Sequence, residues 1–383
     1  MNIAIFTNNY LPNPYGVTTS VESFRREFEK RGHNVYIFAP YNIGYKDKNK
    51  NVFRYPSIDI KYKIRFPLPI PYSRKIDREI KKLKIDIIHS QHPNLLGWVA
   101  INWAEKKNVP LVFTWHTIYD QYTHYTPFIP KQLAKGWVIN NSVNYANCTD
   151  KIIIPTISVK KIIENWGVNN ENIEVIPTGV DIKMFSNVNS VRIKEELAID
   201  DDKKIILSIS RLTEEKNVIF LVKEVIKVLK KDPDAVFILG GDGYLKNDLI
   251  KIINKAKVGK QVFLVGLVDK EEVKNYLNLA DVFVYASKSE TQGTIITEAM
   301  YMGLPIVALK ALGVSDLITS GKTGILVSTK ERNFDDNIFK LLSDKGLAKY
   351  LGENAQKEAR EKYTSEVCAG KMLEIYEELI NKN

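Results

Sequence analysis

Ser287-Lys-Ser-Glu290-Thr-Gln292-Gly293-Thr294-Ile-Ile-Thr-Glu298-Ala-Met-Tyr-Met-Gly303-Leu-Pro305 reads as a polar loop running into a helix. The run before it, Val282-Phe-Val-Tyr-Ala286, is short, apolar and β-branched enough for a buried strand. Ile295, Ile296, Ala299 and Met302 recur at helical spacing, and Gly303-Leu-Pro305 closes the pattern. Glu290 therefore falls in the loop and Glu298 on the first turns of the helix. A loop that feeds N–H groups into a helix N-terminus attracts anions, because the first-turn donors are unpaired and the helix dipole adds partial positive charge. Carboxylates beside it accept hydrogen bonds from hydroxyls, so the combination suits a ligand carrying phosphate and sugar together. The plainer reading of the same two acids is a solvated loop and an acidic first turn.

The strand-helix rhythm extends on both sides. Residues 204–210, 235–239, 261–265 and 305–308 read as strands, each followed by a helical pattern. Ser210-Arg211-Leu-Thr-Glu-Glu-Lys216-Asn217 follows the first of them. An Arg fork and a Lys point charge at a strand end suit a diphosphate leaving group, whose negative charge grows as its bond breaks.

The first half repeats the plan, with strands at 3–6, 33–39, 85–89, 110–114, 151–155 and 173–177 and helices near 96–106 and 158–166. Thr19-Ser-Val-Glu22 reads as a capping box that opens a helix carrying Val21, Phe24 and Phe28 on one face. No GxGxxG follows the first strand, which weakens a nicotinamide-dinucleotide reading. Residues just past a strand end line the crevice of an open α/β sheet, and His116 stands there; the alternative is a structural histidine. With a connection at 177–190, the expectation is an α/β chain of two doubly wound, Rossmann-like domains facing a cleft. Their predicted spans are 1–180 and 181–362, with a final helix in 363–383.

At 383 residues the chain is long enough for both domains, and its 44% hydrophobic and 26% charged residues fit a soluble globular protein. Two distant cysteines, no CxxC and no signal-like or membrane-spanning apolar run point to a reducing cytoplasm. The net charge of +10 favours anionic partners: nucleotide phosphates, nucleic acid or a membrane surface. Much of it lies in residues 61–84, where Lys75, Lys81 and Lys82 stand among other cations, aromatics alternate with Pro67, Pro69 and Pro71, and the prolines are expected to break regular structure. Such a stretch can lie on an anionic membrane or form an ordinary solvated helix face. His89, His92, His116 and His124 cluster without HExxH or CxxC spacing, so no metal site is expected.

Glu290 and Glu298, with seven residues between them and followed by Ala-Met and Gly-Leu-Pro, resemble the Glu-x7-Glu element of retaining glycosyltransferases of family four, which have the GT-B fold. The Arg211-Leu-x3-Lys216 element, Gly240-Gly-Asp-Gly243 and Val265-Gly266-Leu267-Val268 match further loops of that family, and the resemblance covers most of the chain. It implies that Glu298 binds ribose, that Glu290 and His116 contact the donor sugar, and that Arg211 and Lys216 stabilise the leaving diphosphate. It also implies that Gly16 lets the first domain approach the diphosphate, that Gly243, Gly266 and Leu267 border the nucleotide, and that the backbone of Gln292, Gly293 and Thr294 nears the sugar and diphosphate. Thr294 departs from the larger apolar residue common there, leaving the sugar open. Trp115-His116-Thr-Ile-Tyr-Asp-Gln-Tyr-Thr-His124-Tyr125 and Glu290-Thr-Gln-Gly293 look most like bacterial 1,2-diacylglycerol glucosyltransferases. The resemblance implies a nucleotide-diphosphate sugar such as UDP-glucose as co-substrate, no other cofactor, no metal and no nucleic acid. It implies a lipid acceptor at an anionic membrane surface, with the protein held peripherally on the inner face. A polysaccharide acceptor, a nucleotide-sugar epimerase and a non-catalytic nucleotide-sugar binder are the other readings.

Overall fold

The computed structural model describes residues 1–13, 16–61, 65–118, 131–288, 290–328, 330 and 333–382. The chain divides into two compact units, Met1–Gly179 with Ser365–Asn383, and Val180–Thr364.

The first unit contains β1 (Asn2–Phe6), β2 (Asn34–Pro40), β3 (Val52–Tyr55), β4 (Ser57–Lys61), β5 (Arg65–Pro69), β6 (Ile87–Ser90), β7 (Leu111–Thr114), β8 (Lys151–Ile154) and β9 (Ile173–Val175). Seven strands form one sheet in the order β3-β2-β1-β6-β7-β8-β9, every pair parallel. A parallel sheet is covered on both faces, and the pleat sends alternate residues each way. Ile3, Ile5, Val35 and Ile37 meet Val21 and Phe28 of the helix Gly16–Lys30 and Met372 and Tyr376 of the last helix, Ser365–Lys382. Ala4, Phe6, Phe38 and Ile88 meet Leu96, Ala100 and Trp103 of the helix Leu96–Lys107.

The first helix corrects the capping-box reading. It begins at Gly16, three residues before Thr19, so Glu22 lies inside it and not at its end. The Glu22 carboxylate is buried and accepts from the Tyr10 hydroxyl and from two Arg25 nitrogens at 2.7 and 2.9 Å. Burial raises its pKa, but the Arg25 and Tyr10 hydrogen bonds outweigh that and hold it below the ordinary carboxylate range.

The proline-rich stretch is also regular, contrary to expectation. β4 and β5 form an antiparallel ribbon with Ser57 opposite Pro69 and Asp59 opposite Pro67. A two-stranded ribbon leaves one edge of each strand without ladder bonds, where a missing N–H goes unnoticed. Pro67 and Pro69 are buried, whereas Ile58, Phe66, Leu68 and Ile70 are exposed. The ribbon thus turns its apolar face outward.

The second unit contains β10 (Lys204–Ile209), β11 (Ala235–Gly240), β12 (Val262–Gly266), β13 (Val282–Tyr285), β14 (Ile306–Leu309) and β15 (Ile325–Val327), in the all-parallel order β12-β11-β10-β13-β14-β15. Both sheets bear out the doubly wound expectation. Strand order reverses between β10 and β13, which pair through Ile206 with Val282 and Leu207 with Phe283. In the first unit it reverses between β1 and β6. Loops leaving the carboxyl ends of strands at such a reversal diverge and open a crevice. Among the described residues, no helix is long and apolar enough to cross a membrane.

Candidate active site

At the reversal in the second unit, the loop after β10 carries Arg211 and Lys216 and the loop after β13 carries Glu290. Lys216 Nζ donates to Glu290 Oε1, and both side chains are only 12% exposed. Tyr285, the last residue of β13, donates to the same oxygen at 2.6 Å. Burial raises the Glu290 pKa, but the Lys216 charge and the hydrogen bonds of Lys216 and Tyr285 win and hold it below its usual value. Burial and the adjacent Glu290 charge push the Tyr285 phenol well above its usual value, so it stays a donor. The loops are tied along their backbones, since Ser287 Oγ and the Lys288 N–H both reach the Glu215 carbonyl, at 3.3 and 3.1 Å. Arg211 remains 46% exposed and meets Glu215 Oε1 at 3.1 Å.

Gly293 precedes the helix Thr294–Tyr301 with φ of +78°, a left-handed conformation that turns the chain sharply into the first helical turn. Glu298 lies on that helix with no ion pair among the described residues. Burial pushes its carboxyl up to about 7, against a smaller downward pull from Lys270. Gln292 is buried beside Gly293. The loops after β11 and β12 complete the rim. Gly241 N–H donates to the Gly266 carbonyl at 2.6 Å, and a Cβ on Gly243 would lie 2.4 Å from the Leu212 carbonyl oxygen, so only glycine lets these backbones meet. Leu267 projects from this rim and is 78% exposed.

In the first unit, His116 follows β7 and Gln91 follows β6. His116 Nε2 donates to Gln91 Oε1 at 2.7 Å. His92 Nδ1 accepts from the Asn8 N–H at 3.1 Å. His89 lies between the Tyr376 hydroxyl, 2.5 Å from Nδ1, and the Thr114 hydroxyl, 2.7 Å from Nε2. Burial pushes all three imidazoles down, to about 3 for His89, about 4 for His92 and about 3 for His116, the last helped by its two neighbours. They are neutral hydrogen-bonding groups at neutral pH. Among the described residues, no group of three or more His, Cys, Asp or Glu side chains could hold a metal ion.

The chain is 32% identical to the alpha-monoglucosyldiacylglycerol synthase of Acholeplasma laidlawii, over 100% of this chain and 98% of that one. Residues 14–183 match the model of Glycosyltransferase Family 4, and residues 190–358 that of Glycosyl transferases group 1. The chain belongs to glycosyltransferase family four. A second synthase of the same description, from Streptococcus pneumoniae, is 31% identical over 85% of this glycosyltransferase and 75% of its own length. Sucrose-phosphate synthase from Thermosynechococcus elongatus, 19% identical, has the same fold, with a TM-score of 0.80 over 100% of both chains.

The structure of this glycosyltransferase brings Arg211, Lys216, Glu290, Gln292, Gly293, Thr294, Glu298, Gly243, Gly266 and Leu267 into one unit, at or after the carboxyl ends of β10, β11, β12 and β13, with Thr294 and Glu298 on the helix that follows β13. Gly16 and His116 belong to the first unit; there Gly16 opens the first helix and a Cβ on it would touch nothing within 4 Å. Lys75, Lys81 and Lys82 are exposed on the helix Arg74–Lys82, which buries Ile76 and Ile80. His124 and Tyr125 lie outside the described residues. Sequence reading missed Tyr285, Gln91 and Tyr376. A tyrosine closing an otherwise non-polar strand immediately before a polar loop was the available signal for the first; the other two had none.

Proposed function

We propose that this glycosyltransferase is a retaining hexosyltransferase that moves glucose from UDP-glucose to a lipid acceptor such as 1,2-diacylglycerol. The observation that carries the reading is the meeting of two cations, a buried ionised carboxylate and a helix N-terminus at one strand-order reversal. This set can take phosphate and sugar hydroxyls at once. Glu298 holds the ribose, Glu290 and the neutral imidazole of His116 orient the sugar, and Arg211 and Lys216 take up the charge that grows on the diphosphate as the glycosidic bond breaks. The acceptor hydroxyl forms its new bond on the face from which the diphosphate leaves, and a phosphate oxygen takes its proton. No divalent ion is required in this scheme.

The lipid acceptor is supported by the relatives' description as diacylglycerol glucosylating synthases and by the surface of the first unit. The outward apolar face of the β4–β5 ribbon, with Ile58 54% exposed, runs into the helix that exposes Lys75, Lys81 and Lys82. Apolar groups for the acyl boundary beside cations for anionic headgroups suit a protein held at the inner face of a membrane, each cation near the surface contributing about 1 kcal/mol.

The test incubates the protein with labelled UDP-, GDP- and ADP-sugars and with diacylglycerol in neutral and anionic vesicles, with and without EDTA. Glucose should pass from UDP-glucose to diacylglycerol with its anomeric configuration retained, faster on anionic vesicles, and EDTA should leave the rate unchanged. Reversing Lys75, Lys81 and Lys82 to Glu should weaken vesicle binding and leave donor binding intact. Transfer only to a soluble sugar, or equal rates on both vesicle types, would reject the membrane reading.

A further inference from the structure

Resting on that donor-site reading, a role can be assigned to Tyr285, which no family element singled out. In the structure, Lys216 and Tyr285 both donate to Glu290 Oε1. Lys216 cannot keep this arrangement once a diphosphate is present: a dianionic group competes for the same ammonium, and the leaving-group role requires Lys216 to turn toward it. Glu290 then loses its compensating charge in a site that is nearly closed to water, where an unpaired carboxylate is costly. Ser287 also hydrogen-bonds Glu290 and is the smallest of the influences that hold its pKa down, but its hydroxyl has one proton to give and lies 3.3 Å from the Glu215 carbonyl as well, so it supplements Tyr285 without replacing it. The remaining groups near the pair are Arg211, which faces Tyr285 and is itself paired with Glu215, and the Gly313 turn, where a Cβ would lie 2.4 Å from the Glu290 carbonyl oxygen. That turn brings no charge to the carboxylate.

We propose that Tyr285 is a positioning residue for Glu290: its hydroxyl keeps the carboxylate ionised and fixed at Oε1 while Lys216 passes to the diphosphate, so the second oxygen is presented to a sugar hydroxyl. The phenol suits this task. It is fixed on a buried strand, 4% exposed, and carries no charge that a phosphate could draw away. Lys216 is thus shared between resting pair and donor, and Tyr285 is the donor that does not move.

Tyr285→Phe tests this without changing shape. At saturating UDP-glucose, kcat should fall about 10-fold, the size expected for a lost hydrogen bond to a charged group. The acid limb of the kcat profile should move up by about one pH unit, because the carboxylate loses a donor that favours its ionised form. Affinity for UDP, which lacks the sugar, should be unchanged. In a Glu290→Gln background, the same substitution should add less than about twofold, the sign of coupled residues. An unmoved acid limb, full multiplication of the two effects, or an equal loss of UDP affinity would overturn the assignment. A variant-free measurement decides the point even if Tyr285→Phe folds poorly: carboxylate NMR of the wild type saturated with UDP should show Glu290 still titrating below the ordinary glutamate range. Titration within or above that range would overturn the role of Tyr285. A wild type that binds UDP but transfers sugar to no acceptor would instead reject the transferase reading, and the two failures are distinct.

Discussion

The two units place functional groups at the same point of the same kind of sheet and equip them in opposite ways. In the first, His89, His92 and His116 are packed until none can hold a proton near neutrality. In the second, Lys216 and Glu290 are only 12% exposed, and Glu290 stays ionised because Lys216 and Tyr285 both donate to it. Burial alone therefore does not set the charge of a site; the partner does. Unpaired basic groups yield to desolvation and become neutral hydrogen-bonding surfaces. Paired groups resist it and remain available to a charged ligand.

Removing charge from the second unit is the strongest way to break this contrast. Arg211→Ala should lower kcat by about 100- to 1,000-fold with a much smaller change in donor KM, because charge on the diphosphate grows only as the bond breaks. Steady-state kinetics with UDP-glucose check it, and an intact kcat would remove Arg211 from the leaving-group role.

Acid should reveal the neutral histidines of the first unit. His89 ordinarily titrates near 6.5 and is held to about 3 in the fold, so the unfolded chain binds the extra proton first. Its contribution is complete above 6.5 and is lost as pH falls below it, by about 2 kcal/mol between pH 7 and pH 5. Urea melts at the two pH values, followed through a probe in the first unit, should show the loss. His89→Asn should reduce the loss by about that amount and leave the part due to His92 and His116.

Glu298 sharpens the comparison, since it lies in the charged unit without an ion pair among the described residues and, as with the histidines, burial decides its charge against the smaller pull of Lys270. With its carboxyl at about 7, the ribose-binding role proposed for it requires a pH above that value. Donor KM should rise about tenfold from pH 8 to pH 6, and Glu298→Gln should raise KM at pH 8 while abolishing the dependence. A flat profile in the wild type would mean that this carboxylate does not touch the donor.

The smallest effect is expected at Tyr376. Tyr376→Phe removes one partner of His89 and leaves the ring packed against Phe28, whose centroid lies 5.6 Å away. A loss of about 1 kcal/mol in stability, with UDP binding unchanged, is expected in chemical denaturation.

Much of this was readable one element at a time. The run 282–286, the turn at Gly293 and the spacing of Ile295, Ile296 and Ala299 specify strand, loop and helix through local sterics and periodicity, and the structure follows them. Arg211, Lys216, Glu290 and Glu298 stood out because their residue types are chemically informative wherever they occur. Where local patterns misled, non-local contacts were responsible. Thr19 to Glu22 has the letters of a capping box, but Arg25 and Tyr10 claim Glu22 for the interior. Pro67 and Pro69 have the letters of a broken stretch, but pairing with Asp59 and Ser57 makes it a strand whose apolar residues face solvent.

The chain alone thus determined most of the strands and helices, the β4–β5 ribbon excepted, and which side chains bring charge to the loops, because both follow from neighbours in sequence. Folding supplied the partnerships. Lys216 reaches Glu290 across 74 residues because β10 and β13 are adjacent in the sheet, and His89 reaches Tyr376 across 287 because the last helix packs with the first unit. Periodicity reports which side of an element is apolar; it carries no record of which distant element will cover that side. The charge state of each buried group, and with it the chemistry open to that group, depends on that distant element.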